Sequence, residues 1–201
     1  MDLRTIQNTL QTLTSDGMTY QKWFVSFGSL LYMIRDKNHG VEFVQDIDIS
    51  IVGSHNYEQI DRTLQDNGFQ RVSRIKNDQD GSVLFADYKS PNGLSLDLFF
   101  WIESPGYLWH TYDYMREGKE IPSFYHFKAV PKYMMEGKPY SYSWFDEISP
   151  LMVPKYYGTL LDYWYPNWFI PDADFGLSKA MYEVEIESCK DVVSHLTKLV
   201  K

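Results

Sequence analysis

Asp46 and Asp48 stand two apart within Phe43-Val44-Gln45-Asp46-Ile47-Asp48-Ile49-Ser50-Ile51-Val52. The segment alternates as a β-strand does, with Ile47, Ile49 and Ile51 on one face and Asp46, Asp48 and Ser50 on the other. Both carboxylates therefore project from the same face. Side by side they repel and raise each other's pKa unless a cation sits between them. Hard oxygen ligands of this kind suit Mg²⁺ or Mn²⁺. A third acidic residue, Asp97, lies in a second apolar run, Leu94-Ser95-Leu96-Asp97-Leu98-Phe99-Phe100. If the two strands are neighbours, three carboxylates converge on one or two metal ions. Two ions roughly 4 Å apart stabilise both the attacking and the leaving oxygen of a phosphoryl transfer. Taken alone, an Asp-x-Asp is more often the solvated face of an edge strand than a metal site.

Gly28-Ser29 precedes a short helical run, and so offers backbone N–H groups and a hydroxyl at a helix start, a cradle for phosphate. Arg35, further along that run, either neutralises phosphate charge or forms a surface ion pair. Lys155 has the same two readings, with an exposed lysine the simpler one. His110 and His126 sit among aromatic residues, where structural histidines are commoner than acid–base groups. Asp87 is a substitute for Asp97 as third carboxylate, but Asp97 has the flanking apolar residues of a central strand.

The elements that must position these groups follow from periodicity. Leu3, Ile6, Leu10 and Leu13 predict an opening helix that ends near Ser15-Asp16-Gly17. Trp23 to Phe27 reads as extended, Leu30 to Asp36 as a short helix, and Asn38-His39-Gly40 as a turn. A helix over Tyr57 to Asp66, with Ile60 and Leu64 inward, is closed by Asn67-Gly68. Val83 to Lys89 and Leu94 to Ile102 flank Ser90-Pro91-Asn92-Gly93, a β-hairpin signal. From Glu103 to Asp174 periodicity weakens. A short helix is expected over Tyr156 to Tyr163, begun near Pro154, and a last one over Ser178 to Val200, with Met181, Val184, Val192, Leu196 and Leu199 on one stripe. Helices and strands in mixed order predict an α+β (α/β-like) fold, a mixed β-sheet flanked by helices. With no clear linker, residues 1–201 read as one domain: 1–105 the catalytic core, 106–201 an aromatic-rich, substrate-side and helical portion.

Composition excludes some partners. Hydrophobic residues make up 44% and charged residues 23%, as in a globular protein. A net charge of −8 disfavours broad nucleic-acid binding, although a bound cation inverts the local field for a phosphorylated small substrate. Sixteen Tyr and six Trp either line a pocket or fill a core with a polar edge left wet. The single cysteine, Cys189, excludes an intrachain disulfide and a thiolate metal cluster. The N-terminus shows no secretory pattern and no apolar run is long enough to span a membrane, so a soluble, cytoplasmic protein is expected.

Gly-Ser, helix, Asp-x-Asp strand and a later Asp on a strand, in that order, resemble the nucleotidyltransferase superfamily, and the local text is similar to its LicD/fukutin phosphotransferase family. The matching residues are Gly28-Ser29-Leu30-Leu31, Arg35, Asp46-Ile47-Asp48 and Asp97-Leu98-Phe99. A further block, Pro154, Tyr157, Leu161 and Tyr165, has the family's spacing, and the resemblance spans roughly residues 23 to 171. Phe43-Val44-Gln45 stands where the family often has Trp-Asp-Asp, and Tyr32 and Pro166 stand where it has Gly. The resemblance implies a nucleotidyltransferase fold and transfer of phosphocholine or an alditol phosphate from a CDP-type donor to a glycan hydroxyl. In that scheme Asp46, Asp48 and Asp97 hold Mg²⁺ (or Mn²⁺) and carry catalysis, and Gly28, Ser29, Arg35 and Lys155 bind donor phosphate. Two other readings stay open: transfer of a nucleotide to a small molecule or protein, and a glycan-binding relative without catalysis.

Overall fold

The structure is a computed structural model and describes residues 22–35, 46–53, 56–112, 125–135, 140–142, 151–170, 183–186 and 188–199. The expected opening helix, the Asn38-His39-Gly40 turn, Phe43 to Gln45 and Met181 lie outside them. In chain order the elements are β1 (Lys22–Val25), α1 (Phe27–Arg35), β2 (Asp46–Val52), α2 (Tyr57–Asp66), β3 (Gln70–Lys76), β4 (Val83–Lys89) and β5 (Ser95–Ser104). After these come β6 (Tyr107–Tyr112), β7 (Tyr125–Pro131), α3 (Lys132–Met135), β8 (Tyr140–Tyr142), β9 (Leu151–Val153), α4 (Tyr157–Trp164), β10 (Glu183–Ile186) and α5 (Cys189–Leu199).

Eight strands form one sheet in the order β1-β2-β5-β6-β7-β10, with β4 also paired to β5 and β3 to β4. β2 and β5 run parallel and the other pairs antiparallel, which makes the sheet mixed. Helices flank it, so the expected α+β class with a mixed sheet is the one observed.

The alternation in β2 separates two environments. Ile47, Ile49 and Ile51 are buried, as are Leu96, Leu98 and Phe100 of the neighbouring β5. α2 supplies Ile60 and Leu64 to the same apolar core, and Tyr57 meets Phe100 edge-on at 5.7 Å. The helix is fixed at its start by Asn56, whose side chain accepts the Gln59 N–H, and at its end by Asn67 and a left-handed Gly68. The other face carries Asp46, Asp48 and Ser50 of β2 and Asp97, Phe99 and Trp101 of β5. There Phe27 of α1 packs against Phe99, Trp101 and Trp164 of α4.

The β4–β5 connection is the predicted hairpin: Gly93 is left-handed and donates to the Ser90 carbonyl, and the Ser90 hydroxyl accepts the Leu94 N–H. Three expectations are corrected. α1 begins at Phe27, not Leu30, so Phe27 leaves the extended run. The long helix from Ser178 to Val200 is not continuous: Glu183–Ile186 is a strand against β7, and α5 begins at Cys189, capped by Asp78 through the Cys189 N–H and the Ser188 hydroxyl. Pairing with an open sheet edge outweighs the local helical stripe at Val184. The aperiodic stretch after Glu103 contains β6 and β7, full members of the sheet.

Candidate metal centre

Parallel pairing places Asp48 directly opposite Asp97, and Asp46 opposite Ser95. One carboxylate oxygen from each of Asp46, Asp48 and Asp97 lies within 4.8 Å of the other two. The row continues across the sheet: Asp97 is opposite Asp87, and Asp87 opposite Ser73, whose hydroxyl donates to Asp87 at 3.1 Å. Directly opposed residues share a face, so four acidic side chains occupy one patch.

α1 closes this patch from the β1 side. The Ser29 N–H donates to Asp48 Oδ2 at 3.1 Å, and Ser29 Oγ accepts the Asp48 N–H at 2.8 Å. The single hydroxyl proton faces both Asp48 Oδ2 and the Asp46 carbonyl, each at 3.3 Å. The Ser26 N–H holds the Asp48 carbonyl at 2.9 Å. Gly28 lies against the same carboxylate, for a Cβ there would sit 3.4 Å from Asp48 Oδ2. The Gly-Ser turn thus grips a carboxylate with the groups that sequence reasoning assigned to donor phosphate.

Electrostatics follow from burial and crowding. Asp48 is 8% exposed. Burial, and then the Asp46 charge, push its carboxyl up to about 7, against the pull of the Ser29 hydrogen bonds and Lys128. Asp97 is pushed up to about 8, by burial first and then by Asp48, Asp87 and Asp46. Burial raises Asp87 as well. Carboxylates held this close in a poorly solvated patch favour either protons or a cation. Hard oxygen donors on rigid strands fit a divalent ion such as Mg²⁺ or Mn²⁺.

Other sequence candidates lie elsewhere. The Arg35 guanidinium donates to the Trp168 carbonyl at 3.3 Å, which ties α1 to the turn after α4. Lys155 is exposed and stands 5.1 Å from the Tyr156 ring. His110 is fully buried among Phe27, Phe99 and Trp101. Burial and the Lys128 charge hold its imidazole down to about 3, far from acid–base work at neutral pH. The His126 side chain lies outside the described residues.

Sequence reasoning passed over two residues beside the site. Lys128 is only 3% exposed, with its ammonium 5.2 Å from the Phe27 ring. The sequence Phe127-Lys128-Ala129 carries no signal of this, since alternation with apolar neighbours reads as a solvent-facing lysine; its burial is notable because an ammonium is rarely buried without a reason. The other is Phe27 itself.

No protein-family profile and no curated protein matches the chain. Among solved structures it is similar to terminal uridylyl transferase 4 from Trypanosoma brucei with bound UPU, at 10% identity and a TM-score of 0.33. That similarity covers 48% of this chain and 33% of the other, so the chain spans about a third of that protein's length. No described helix is long and apolar enough to cross a membrane. The three clustered aspartates give the chain a donor set for a divalent metal.

Proposed function

We propose that the chain is a divalent-metal-dependent transferase of the nucleotidyltransferase fold, related to the LicD/fukutin phosphotransferases, which moves phosphocholine or an alditol phosphate from a CDP-type donor to a glycan hydroxyl. The observation that carries this reading is the convergence of Asp46, Asp48 and Asp97 from two parallel strands, within 4.8 Å of one another, under a Gly-Ser turn.

Asp46, Asp48 and Asp97 hold the cation, and Ser29 fixes the rotamer of Asp48 by its N–H and hydroxyl. When bound, the divalent ion supplies charge neutralisation and polarises the donor's phosphoryl oxygens. The acceptor oxygen attacks the phosphorus that bears the choline or alditol; the bond to CMP breaks and CMP departs with the electron pair. Asp97 receives the proton released by the acceptor hydroxyl. Rigid strands hold these groups, so the site is organised before substrate arrives.

Calorimetric titration of CDP-choline, CDP-ribitol and the common nucleotides, with and without Mg²⁺, tests the proposal against wild type and Asp48→Ala. Mg²⁺-dependent binding of a CDP compound, lost in the variant, is expected. Turnover in Asp48→Ala should fall by at least about a hundredfold, on the scale of losing one principal electrostatic group. An Asp48→Ala protein with full activity refutes the scheme.

A further inference from the structure

Phe27 has φ 44°, and Asn167 is the other described non-glycine residue with positive φ. Asn tolerates left-handed backbone, whereas a bulky aromatic there is a genuine outlier. Such strain persists only where the surroundings over-determine it. The surroundings here come from four elements. The Phe27 ring meets Trp164 of α4 at 4.3 Å, Phe99 of β5 at 4.7 Å and His110 of β6 at 5.2 Å, and the Lys128 ammonium of β7 stands 5.2 Å from it. Trp101 stacks at 6.2 Å.

The strained residue lies between two that hold the same aspartate. On one side, the Ser26 N–H takes the Asp48 carbonyl at 2.9 Å; on the other, the Ser29 N–H takes Asp48 Oδ2 at 3.1 Å. β1 pairs with β2 up to Val25, and α1 must begin at once for Ser29 to return to Asp48. A sharp reversal at position 27 makes both contacts possible.

We propose that Phe27 is a positioning residue: the cage around its ring holds its backbone left-handed, and that backbone aims the Ser29 N–H and hydroxyl at Asp48. Its consequence for metal binding rests on the metal-site reading above; the positioning itself does not.

The test uses the ¹⁵N-labelled full chain. In the metal-free protein, hydrogen-exchange protection of the Ser29 amide is measured relative to that of Ile49 in β2, which removes global stability from the comparison. Phe27→Leu, or the milder Phe27→Met if Leu does not fold, is compared with Phe100→Leu, which removes a buried ring on the α2 face. The Ser29-to-Ile49 ratio is expected to fall at least about tenfold in the Phe27 variant and to stay within about twofold of wild type in Phe100→Leu. Mn²⁺ affinity should fall at least about tenfold in the Phe27 variant alone, the scale for a lost supporting contact. An unchanged ratio overturns the inference; a lowered ratio beside an unchanged Mn²⁺ affinity overturns its consequence for metal binding. A wild type that binds no Mn²⁺ sinks the metal-site reading instead, and the exchange ratio then decides on Phe27 by itself.

Discussion

The carboxylate patch should make the metal-free protein less stable as pH rises. Asp48 at about 7 and Asp97 at about 8 both lie above their ordinary value of 3.8. Such groups bind protons more tightly folded than unfolded. Their contribution is full below the unfolded pKa and is lost as pH climbs through the folded pKa. Between about pH 6.5 and pH 8.5, Asp97 loses about 2 kcal/mol and Asp48 just under about 1 kcal/mol. His110 works in the opposite sense: held near 3 in the fold, it stays neutral while the unfolded imidazole titrates, which offsets a small part of this loss over the same window. The Asp48 charge is itself a cause of the Asp97 shift, so the two losses belong to a coupled pair and are not fully additive. A net loss of about 2 kcal/mol remains, or about 4–8 °C in Tm for a chain of this size. Thermal unfolding in chelator at three pH values, for wild type and Asp97→Asn, reads this directly. The variant keeps the shape and removes one charge, so its slope should fall by at least half. Mg²⁺ should flatten the wild-type slope by taking the protons' place. Equal slopes in the two proteins, or equal stabilisation of both by Mg²⁺, would refute the reasoning.

Ser29→Ala keeps the turn N–H but removes the hydroxyl that bridges Asp48 and β2. Mn²⁺ titration should show affinity lower by roughly 10–100-fold, and Tm should fall as well, because the buried Asp48 N–H loses its acceptor at a cost of about 1–3 kcal/mol; unchanged affinity would remove Ser29 from the site. Tyr88→Phe acts on the opposite face, where the buried Tyr88 hydroxyl bonds Asp61 at 2.9 Å and Tyr57 at 3.1 Å beside the Arg71–Asp61 pair. Denaturant unfolding should show a loss of about 1–3 kcal/mol, because Asp61 keeps its burial and loses a donor; Mn²⁺ affinity should not move.

Much of the site-bearing region was legible because its signals are local. Strict alternation marks β2, apolar spacing marks α2 over the very residues observed, and Asn92-Gly93 marks the hairpin that brings β4 onto β5. The choice between Asp87 and Asp97 needed more than local pattern. The two stand opposite each other on paired strands, and Asp97 joins the cluster because β5 is the strand parallel to β2. Adjacency of that kind is a long-range property that flanking apolar residues only suggest. The same limit hid β6, β7 and β10, whose aromatic and charged sequences become strands through their neighbours. It also turned the start of the predicted C-terminal helix into the β10 strand. Phe27 is the sharpest case. Nothing local marks a phenylalanine for left-handed backbone, and only the rings and the ammonium around it account for its conformation.

The two faces of β2 explain how one fold sustains such a site. Each of Ile47, Ile49 and Ile51 is almost wholly buried, which is worth roughly 1.5–3 kcal/mol per side chain. Leu96, Leu98 and Phe100 add to the same core, with α2 laid across it. Against this the opposite face carries a strained Phe27, a buried Lys128 and carboxylates that repel one another, each unfavourable by itself. The costs are not independent, however. The Lys128 charge lowers the pKa of Asp48 and its ammonium lies over the ring of Phe27, so one buried cation eases both the crowded carboxylate and the cage that holds the turn. A neutral residue at 128 would therefore disturb Asp48 twice, through lost charge and through a loosened Ser29. An apolar replacement there is correspondingly worse for the site than its good fit to a buried strand suggests.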